Sequence, residues 1–406
     1  MKVLEGLALH DPRNKTELAA QLDIPRETLR YRINYLRSHF SLYLQANLYH
    51  TNIGLRKAMV FAESKPGYEE FLYQCLKSND YWLYVSQCIG APKCLATYGI
   101  PAGKEAEFQE FLTRLEELDS TRSVDFFWST CIHNVNATST WFDKKSEQWI
   151  FPWDLWLEEI PNNKGELPYT LKEPEGYFQK ADWIDIMILK ELEKNYIITL
   201  AELAKKLNTS KQRIKYHFKN HIIKEQMLEG PQILATHYKG LSPETCFFIF
   251  TFKSYERFSK FAGSLMNKPF VRALGKVYNK NQLFAQIYLP RQELGNFIGA
   301  LSKLVRMGFL ETYEYLIEDS TRISRQTISY EFFRGNIWEY NHQKHLENLL
   351  STVPGHAIHA SFHSTQIFSA IHTKSKIGAP TILYKSSESE QDGTSSTQNG
   401  EYQGFN

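Results

Sequence analysis

The sequence predicts an α+β protein in which a winged helix-turn-helix head and a ferredoxin-like βαββαβ body occur twice in tandem. Three observations lead to this prediction. One segment recurs within the chain, the same order of strand and helix patterns follows each copy, and capping residues precede the recurring helices. The chain has 406 residues, a length that accommodates two or three domains.

The recurring segment is the strongest sign of a duplicated unit. Residues 17–33 are ELAAQLDIPRETLRYRI, and residues 202–218 are ELAKKLNTSKQRIKYHF. Glu, Leu, Ala, Leu and Tyr coincide, and apolar residues match at Leu29/Ile214 and Ile33/Phe218. We therefore predict that both segments form the same pair of helices.

Capping signals define those helices. In the second copy, residues 199–202 form a Thr-x-x-Glu capping box, and Ser210 can cap a helix over residues 211–222. In the first copy Thr16 is the expected cap, and Pro25 fits the first turn of the next helix. Two short helices joined by a tight turn indicate a helix-turn-helix, whose second helix normally enters the DNA major groove.

Each head is followed by a predicted body. Strands are predicted from β-branched and aromatic runs bounded by Gly, Pro and Asn, and helices from apolar spacing. The first body has predicted strands 56–64, 81–89, 94–100 and 123–132 and helices 67–79 and 104–118. The second has strands 244–253, 271–278, 281–289 and 311–318 and helices 255–267 and 292–307. The order βαββαβ indicates a ferredoxin-like body.

One helix of each body shows the same apolar stripe. Its residues lie at i, i+4 and i+7 and are expected to face the sheet. They are Phe108, Leu112 and Leu115 in the first body and Phe297, Leu301 and Leu304 in the second.

The segments after the bodies are called the first and C-terminal appendages. The first carries Trp141, Trp149, Trp153 and Trp156, which should pack on a body because exposing them to water is costly. Residues 326–350 are expected to repeat this arrangement, with Trp338 near the place of Trp153. Ser, Gly, Gln and Glu dominate the end of the chain, which predicts disorder.

The predicted domain boundaries follow from these patterns. They are 1–50 (first head), 51–133 (first body), 134–180 (first appendage and linker), 181–238 (second head), 239–320 (second body), 321–385 (C-terminal appendage) and 386–406 (disordered tail).

The second helix of each head is basic, although the net charge of the chain is only +2. Such a local surplus indicates a nucleic-acid surface. The alternative is a solvated helix in a winged-helix fold used for protein contacts. The predicted DNA contacts are Arg26, Arg30, Arg32 and Arg37 in the first head and Lys211, Arg213, Lys215 and Lys219 in the second.

Positions four apart share a helix face. Arg26 with Arg30, and Lys211 with Lys215, are therefore the predicted groove-facing pairs. The other four basic residues are assigned to phosphate or flanking positions. Arg can contact guanine with two hydrogen bonds, whereas Lys mostly neutralises phosphate, so the first head is expected to carry more of the sequence specificity.

ELAAQLDIPRETLRYRINYL and ELAKKLNTSKQRIKYHF, each followed by a βαββαβ pattern, resemble the Lrp/AsnC transcription regulators, especially archaeal members. The resemblance covers about residues 1–133 and 182–319. It implies a cytoplasmic regulator that binds double-stranded DNA, with bodies that pair through their sheets and small effectors such as amino acids near the body interface. Two units on one chain imply an internal pseudo-dimer, with further homo-oligomers left open.

The hairpin that binds effectors in this family usually has a Gly-x-x-Asp pattern. Here IGAPKCLATY keeps Gly90 but has Lys93 in place of Asp, and VYNKNQLFAQ in the second half has Asn279 and Gln282. The usual amino-acid site is therefore not expected, and the effector-binding residues stay unassigned. Gly90 marks the candidate place.

Several other classes are disfavoured. There is no run of eighteen apolar residues, and Glu5 interrupts the N-terminal apolar stretch, so neither a membrane span nor a signal peptide is predicted. Five cysteines without a C-x-x-C pair favour a reducing compartment. No cofactor is predicted, and His356, His359, His363 and His372 are interpreted as an ordinary segment rather than a metal site.

No catalytic constellation is present, so an enzyme is not expected. Two alternatives remain. Siroheme decarboxylases also resemble Lrp/AsnC proteins, and such an enzyme would need His and Arg groups lining a pocket between the bodies. The candidates His133, His217, His221 and His237 have no telling spacing. A protein-interaction scaffold with degenerate heads is the other alternative, and it predicts no DNA binding even at low salt.

Overall fold

A computed structural model describes residues 2–238 and 240–352 of the chain. Within them the predicted α+β class is confirmed, with two helix-turn-helix heads and two ferredoxin-like bodies. The predicted disordered tail and the histidine segment 356–372 lie outside the described residues, as does the rest of the C-terminal appendage beyond 352.

The first half of the chain contains the first head, the first body and the first appendage. The head consists of α1 (Lys2–Leu9), α2 (Lys15–Gln21), α3 (Arg26–Phe40) and strand β1 (Tyr43–Leu48). The body consists of β2 (Leu55–Ser64), α4 (Glu69–Leu76), β3 (Trp82–Ile89), β4 (Lys93–Pro101), α5 (Glu105–Glu116) and β5 (Thr121–Ser129). The appendage contains β6 (His133–Asn134), β7 (Phe142–Asp143), β8 (Gln148–Trp149) and α6 (Trp153–Asn162).

The second half repeats this order. Its head consists of α7 (Trp183–Lys194), α8 (Leu200–Lys206), α9 (Lys211–Tyr216), a π-helix (His217–Ile223) and β9 (Leu228–Leu234). Its body consists of β10 (Pro243–Thr251), α10 (Tyr255–Leu265), β11 (Val271–Lys276), β12 (Gln282–Pro290), α11 (Arg291–Arg306) and β13 (Thr312–Arg325). The C-terminal appendage contains β14 (Phe333–Arg334), β15 (Ile337–Trp338) and α12 (His342–Thr352).

Both bodies have the ferredoxin-like strand order. The first runs β5-β2-β4-β3 and the second β13-β10-β12-β11, which is the order 4-1-3-2 in each case. The predicted apolar stripes of α5 and α11 are buried against these sheets, as expected from their spacing.

The two sheets join into one. Strand β13 continues past residue 318, where the sequence predicted its end, and pairs antiparallel with the edge strand β3 of the first body. At the opposite edges, β6 pairs with β11, and Ser129 bridges to Val277. The sheet therefore curves round so that the inner faces of the two bodies meet. Met59 and Leu95 from one body form a small apolar cluster there with Phe247 and Phe284 from the other.

Glu318 lies at the seam between the bodies and is buried. Its carboxylate accepts hydrogen bonds from the Tyr84 and Ser86 hydroxyls of the first body and from the Gln286 amide of the second. Burial raises the pKa of Glu318. Because donors from both halves satisfy one carboxylate, the seam is specified by polar groups as well as by strand pairing.

The appendages are exchanged between the halves. Helix α6 packs on α10 and α11 of the second body, where Trp156 is fully buried and contacts Phe297. Helix α12 packs on α4 and α5 of the first body. Trp338, on β15 of the same appendage, is buried and donates its indole N–H to the Ile53 carbonyl at 2.6 Å. Packing of the Trp-rich segment is confirmed, and each appendage covers the body of the other half.

Two local predictions were wrong. Asn14, not Thr16, caps α2, because its side chain accepts the Glu17 backbone N–H. The predicted helix 211–222 is α-helical only to Tyr216 and then continues as a π-helix. No helix among the described residues has both the length and the apolar character that crossing a membrane requires.

Replacing Trp156 by Ala should destabilise the protein by about 3–5 kcal/mol, since it removes a fully buried aromatic side chain and leaves a cavity between the first appendage and the second body. Urea unfolding followed by tryptophan fluorescence measures the change. Leu155→Ala on the same helix is the control, because Leu155 is 61% exposed. Equal stability of the two variants would contradict a structural role for the exchanged appendage.

Candidate nucleic-acid interface

Helix α3 separates a packing side from a basic side. Pro25 precedes it with a φ of −57°, which suits the start of a helix. Leu29 and Ile33 are buried against the head. All four predicted contacts on this helix are exposed: Arg26, Arg30, Arg32 and Arg37.

The second head repeats this division. The Ser210 side chain accepts the Arg213 backbone N–H and so caps α9. Ile214 and Phe218 are buried. The predicted contacts Lys211, Arg213, Lys215 and Lys219 are exposed, as is Lys224. Both basic surfaces are therefore open to a polyanion.

Each basic surface also exposes a tyrosine at the matching position of the repeat. Tyr31 is 70% exposed and Tyr216 is 54% exposed. A phenol can donate a hydrogen bond to a phosphate oxygen. The repeat showed that Tyr31 and Tyr216 occupy matching positions, but a tyrosine on a helix does not by itself indicate a DNA contact.

The two heads form one unit. Their wing strands β1 and β9 pair antiparallel, from Tyr43 opposite Leu234 to Leu48 opposite Leu228. Helix α1 packs on β9, and α7 packs on β1, so each head supports the wing of the other. Arg13 of the first head lies over the Phe218 ring of the second, 4.3 Å from its centroid. The basic helices α3 and α9 are consequently held on a common frame.

One acidic residue interrupts the first basic surface. Glu27 forms an ion pair with Arg30 at 3.1 Å, and both side chains are well exposed. An exposed pair of this kind is weak. A phosphate can therefore compete for Arg30, although the Glu27 carboxylate opposes its approach.

A separate cavity of about 150 Å³ lies between the heads and the two bodies. Its lining includes His50, Lys57, Glu193 and Arg325, together with the amides Gln45, Asn47, Gln232 and Gln286. Burial lowers the pKa of Lys57 to about 8 and raises that of Glu193 to about 8. Burial also holds the pKa of His50 well below its ordinary value.

Arg325 gives this cavity an unused donor. Its guanidinium lies 5.0 Å from the centre of the Tyr84 ring, and its buried Nε has no hydrogen-bond partner among the described residues. A buried donor without a partner is costly. An anionic ligand in the cavity would supply the missing acceptor.

The sequence did not identify these cavity residues, because they come from strands and loops far apart in the chain. Gly90, the predicted effector position, lies in the exposed turn after β3 with a φ of +83° and does not line the cavity. The histidine that lines the cavity is His50. None of the four candidates for the enzyme alternative, His133, His217, His221 and His237, lines it.

Comparisons with known proteins bear mainly on the second head. Residues 182–220 match a family model described as winged helix-turn-helix DNA-binding. This range comprises α7, α8 and α9 and the start of the π-helix. A comparison with curated proteins gave no match.

Solved structures show only weak likeness. The siroheme decarboxylase NirDL matches over 86% of this chain and 97% of its own, with 12% identity and a TM-score of 0.47. AsnC from E. coli matches over 34% and 91%, with 20% identity and a TM-score of 0.25. A transcriptional regulatory protein of the AsnC family from Pyrococcus furiosus matches over 28% and 77%, with 19% identity and a TM-score of 0.24. Scores of this size do not establish a shared function.

Glu27→Gln should strengthen DNA binding by roughly two- to fivefold at low salt, because it removes a carboxylate beside Arg30 and frees the guanidinium for phosphate. Fluorescence anisotropy with labelled duplex DNA measures the affinity. Glu117→Gln is a matched control, since Glu117 forms the same kind of exposed i,i+3 pair with Arg114 on α5. Unchanged affinity in Glu27→Gln would indicate that DNA does not contact α3.

Proposed function

We propose that the protein is a sequence-specific DNA-binding transcription regulator of the archaeal Lrp/AsnC type, with two DNA-contacting heads on one chain. The observation that carries the proposal is the pair of exposed basic helices, α3 and α9, held on one frame by β1 and β9. The winged helix-turn-helix match at residues 182–220 supports it for the second head.

The tandem arrangement is part of the proposal. We interpret the chain as a duplication of one regulator unit that forms an internal pseudo-dimer. Pairing of β3 with β13, pairing of the wings and exchange of the appendages all support this interpretation. Covalent linkage raises the effective concentration of the halves, so that the pair forms without a second chain. Two heads would then address two half-sites on DNA.

Small-molecule sensing is a second part of the proposal, supported by the polar cavity. Lys57 and Arg325, whose buried Nε has no hydrogen-bond partner among the described residues, offer cationic groups to a ligand. A volume of about 150 Å³ suits a small carboxylate-bearing effector. Tetrapyrroles are larger than the drug-sized ligands that occupy pockets of roughly 300–1,000 Å³. The cavity therefore supports sensing better than tetrapyrrole chemistry, and we propose that the protein is not an enzyme.

Replacing both Lys211 and Lys215 by Ala should weaken DNA binding and flatten its salt dependence. If each lysine neutralises one phosphate, the slope of log K against log salt becomes less steep by up to about 1.8, or about 0.9 per contact. Fluorescence anisotropy at several salt concentrations measures both quantities.

The double variant Lys260→Ala, Lys303→Ala is the control, because it removes two lysine charges of the second body that pair with Glu256 and with Asp154 of the first appendage, away from the heads. It should leave the slope unchanged. If the head variant behaves like this control, the second head does not contact DNA, and the scaffold alternative gains support. The double variant Arg26→Ala, Arg30→Ala, tested against a panel of random duplexes, examines whether the first head carries more of the sequence specificity than the second.

At least one small carboxylate in a panel of the twenty amino acids should raise the melting temperature of the protein, and Lys57→Met should abolish that shift by removing a cation from the cavity. Differential scanning fluorimetry measures the effect. Lys268→Met is the control, since Lys268 is equally buried but pairs with Glu159 in the first appendage. Absence of any shift in the wild-type protein would remove amino-acid sensing from the proposal and leave DNA binding intact.

A further inference from the structure

Two helices of the second head meet at a group of four ionisable side chains. Asp182 caps α7, and Asp185 lies three residues further on. The Asp182 side chain accepts the Asp185 backbone N–H, and the Asp185 side chain accepts the Asp182 backbone N–H, each at 3.0 Å. This reciprocal capping box holds both carboxylates in place.

Two imidazoles from the π-helix face these carboxylates. His217 Nδ1 lies 2.9 Å from one oxygen of Asp185 and 3.5 Å from Asp182. His221 Nδ1 lies 3.0 Å from the other oxygen of Asp185 and 3.9 Å from Asp182. The two histidines are four residues apart and share one side of the helix. Short π-helical segments occur frequently at functional sites.

The charge balance of the group favours a cation. Asp185 is fully buried. Within residues 2–238 and 240–352, neither Asp182 nor Asp185 forms an ion pair with Lys or Arg. One backbone N–H and the two imidazoles lie within hydrogen-bond distance of Asp185, but no fixed cation balances its charge or that of Asp182. A metal ion among the four side chains would compensate both carboxylates.

The donor atoms lie close enough together to share one ion. One ligand atom from each of the four residues lies within 4.8 Å of the others. For Zn²⁺ with ligand distances of about 2.0–2.1 Å, the edges of a tetrahedron are about 3.3–3.4 Å. The two imidazole Nδ1 atoms lie 3.5 and 3.9 Å from one oxygen of Asp182, slightly beyond that value, and 2.9 and 3.0 Å from the two different oxygens of Asp185, slightly below it.

The donor types define the class of ion. Two imidazole nitrogens and two carboxylate oxygens suit Zn²⁺ and chemically similar divalent transition metals. Mg²⁺ and Ca²⁺ prefer oxygen ligands alone. We propose that Asp182, Asp185, His217 and His221 bind a divalent transition-metal ion of the zinc class, which links α7 to the π-helix that continues α9.

The site belongs to the second head alone. In the repeat, His217 and His221 correspond to Arg32 and Leu36 of the first head, which are not metal ligands. Entry is open from one side, because the side chains of His221 and Asp182 are 31% and 36% exposed. For both Nδ1 atoms to bind the ion, each imidazole carries its proton on Nε2 and turns its Nδ1 lone pair towards the ion.

Titration of the chelator-treated full-length chain with Co²⁺ tests the proposal. Tetrahedral Co²⁺ gives intense visible d–d absorption, and Zn²⁺ should abolish it by displacement. The double variant His217→Gln, His221→Gln should lose one bound equivalent, because Gln keeps a hydrogen-bond donor for Asp185 but removes both imidazoles. His221→Gln alone should weaken binding by more than about tenfold, the loss typical of even an outer-shell partner.

His342→Gln is the control, since His342 pairs with the single carboxylate of Glu110 on the first body. It should bind metal like the wild-type protein. A Co²⁺ spectrum and stoichiometry that persist in the double variant would overturn the proposal and assign the metal to other residues, such as the histidine segment 356–372. Absence of metal binding in the wild-type chain would overturn it as well. The measurement does not involve DNA, so its outcome is independent of the proposed function.

Discussion

Strand pairing across the two halves is the interaction on which the rest of the structure depends. An unpaired edge strand exposes a row of backbone donors and acceptors, and a body of four strands has two such edges. Here β13 extends beyond its own body to pair with β3, while β6 pairs with β11 and Ser129 at the end of β5 bridges to Val277, directly after β11. This closure brings the inner faces of both sheets together and creates the interior that holds the cavity.

The same closure explains the exchanged appendages and the joined heads. Because β13 pairs with β3 and β6 pairs with β11, the segment that leaves each body lies close to the opposite half. Helix α6 then covers the second body and α12 the first, with Trp156 and Trp338 as the buried anchors. The heads also exchange contacts. Strands β1 and β9 pair with each other, α1 packs on β9, and α7 packs on β1.

Charge is distributed in two distinct ways within this frame. The basic side chains of α3 and α9 are exposed, where they cost little and can meet an external polyanion. The cavity and the seam instead bury ionisable groups. Burial lowers the pKa of Lys57 and raises the pKa values of Glu193 and Glu318, which in each case favours the neutral form. Buried charged groups are costly, which makes Lys57 and Glu193 of the cavity candidates for ligand recognition.

The sequence alone determined the elements, because their signals are local. Apolar spacing and β-branched runs predicted both βαββαβ bodies, the Thr199 and Ser210 caps predicted the second head, and the repeat separated the buried side of α3 from its basic side. Only the tertiary structure decided which elements meet. The extension of β13, the exchange of α6 and α12, the cavity around Arg325 and the contact of His217 and His221 with Asp185 all join residues far apart in the chain. Local patterns carry no information about such pairings, since the free energy that selects them comes from burial and hydrogen bonding across the assembled halves.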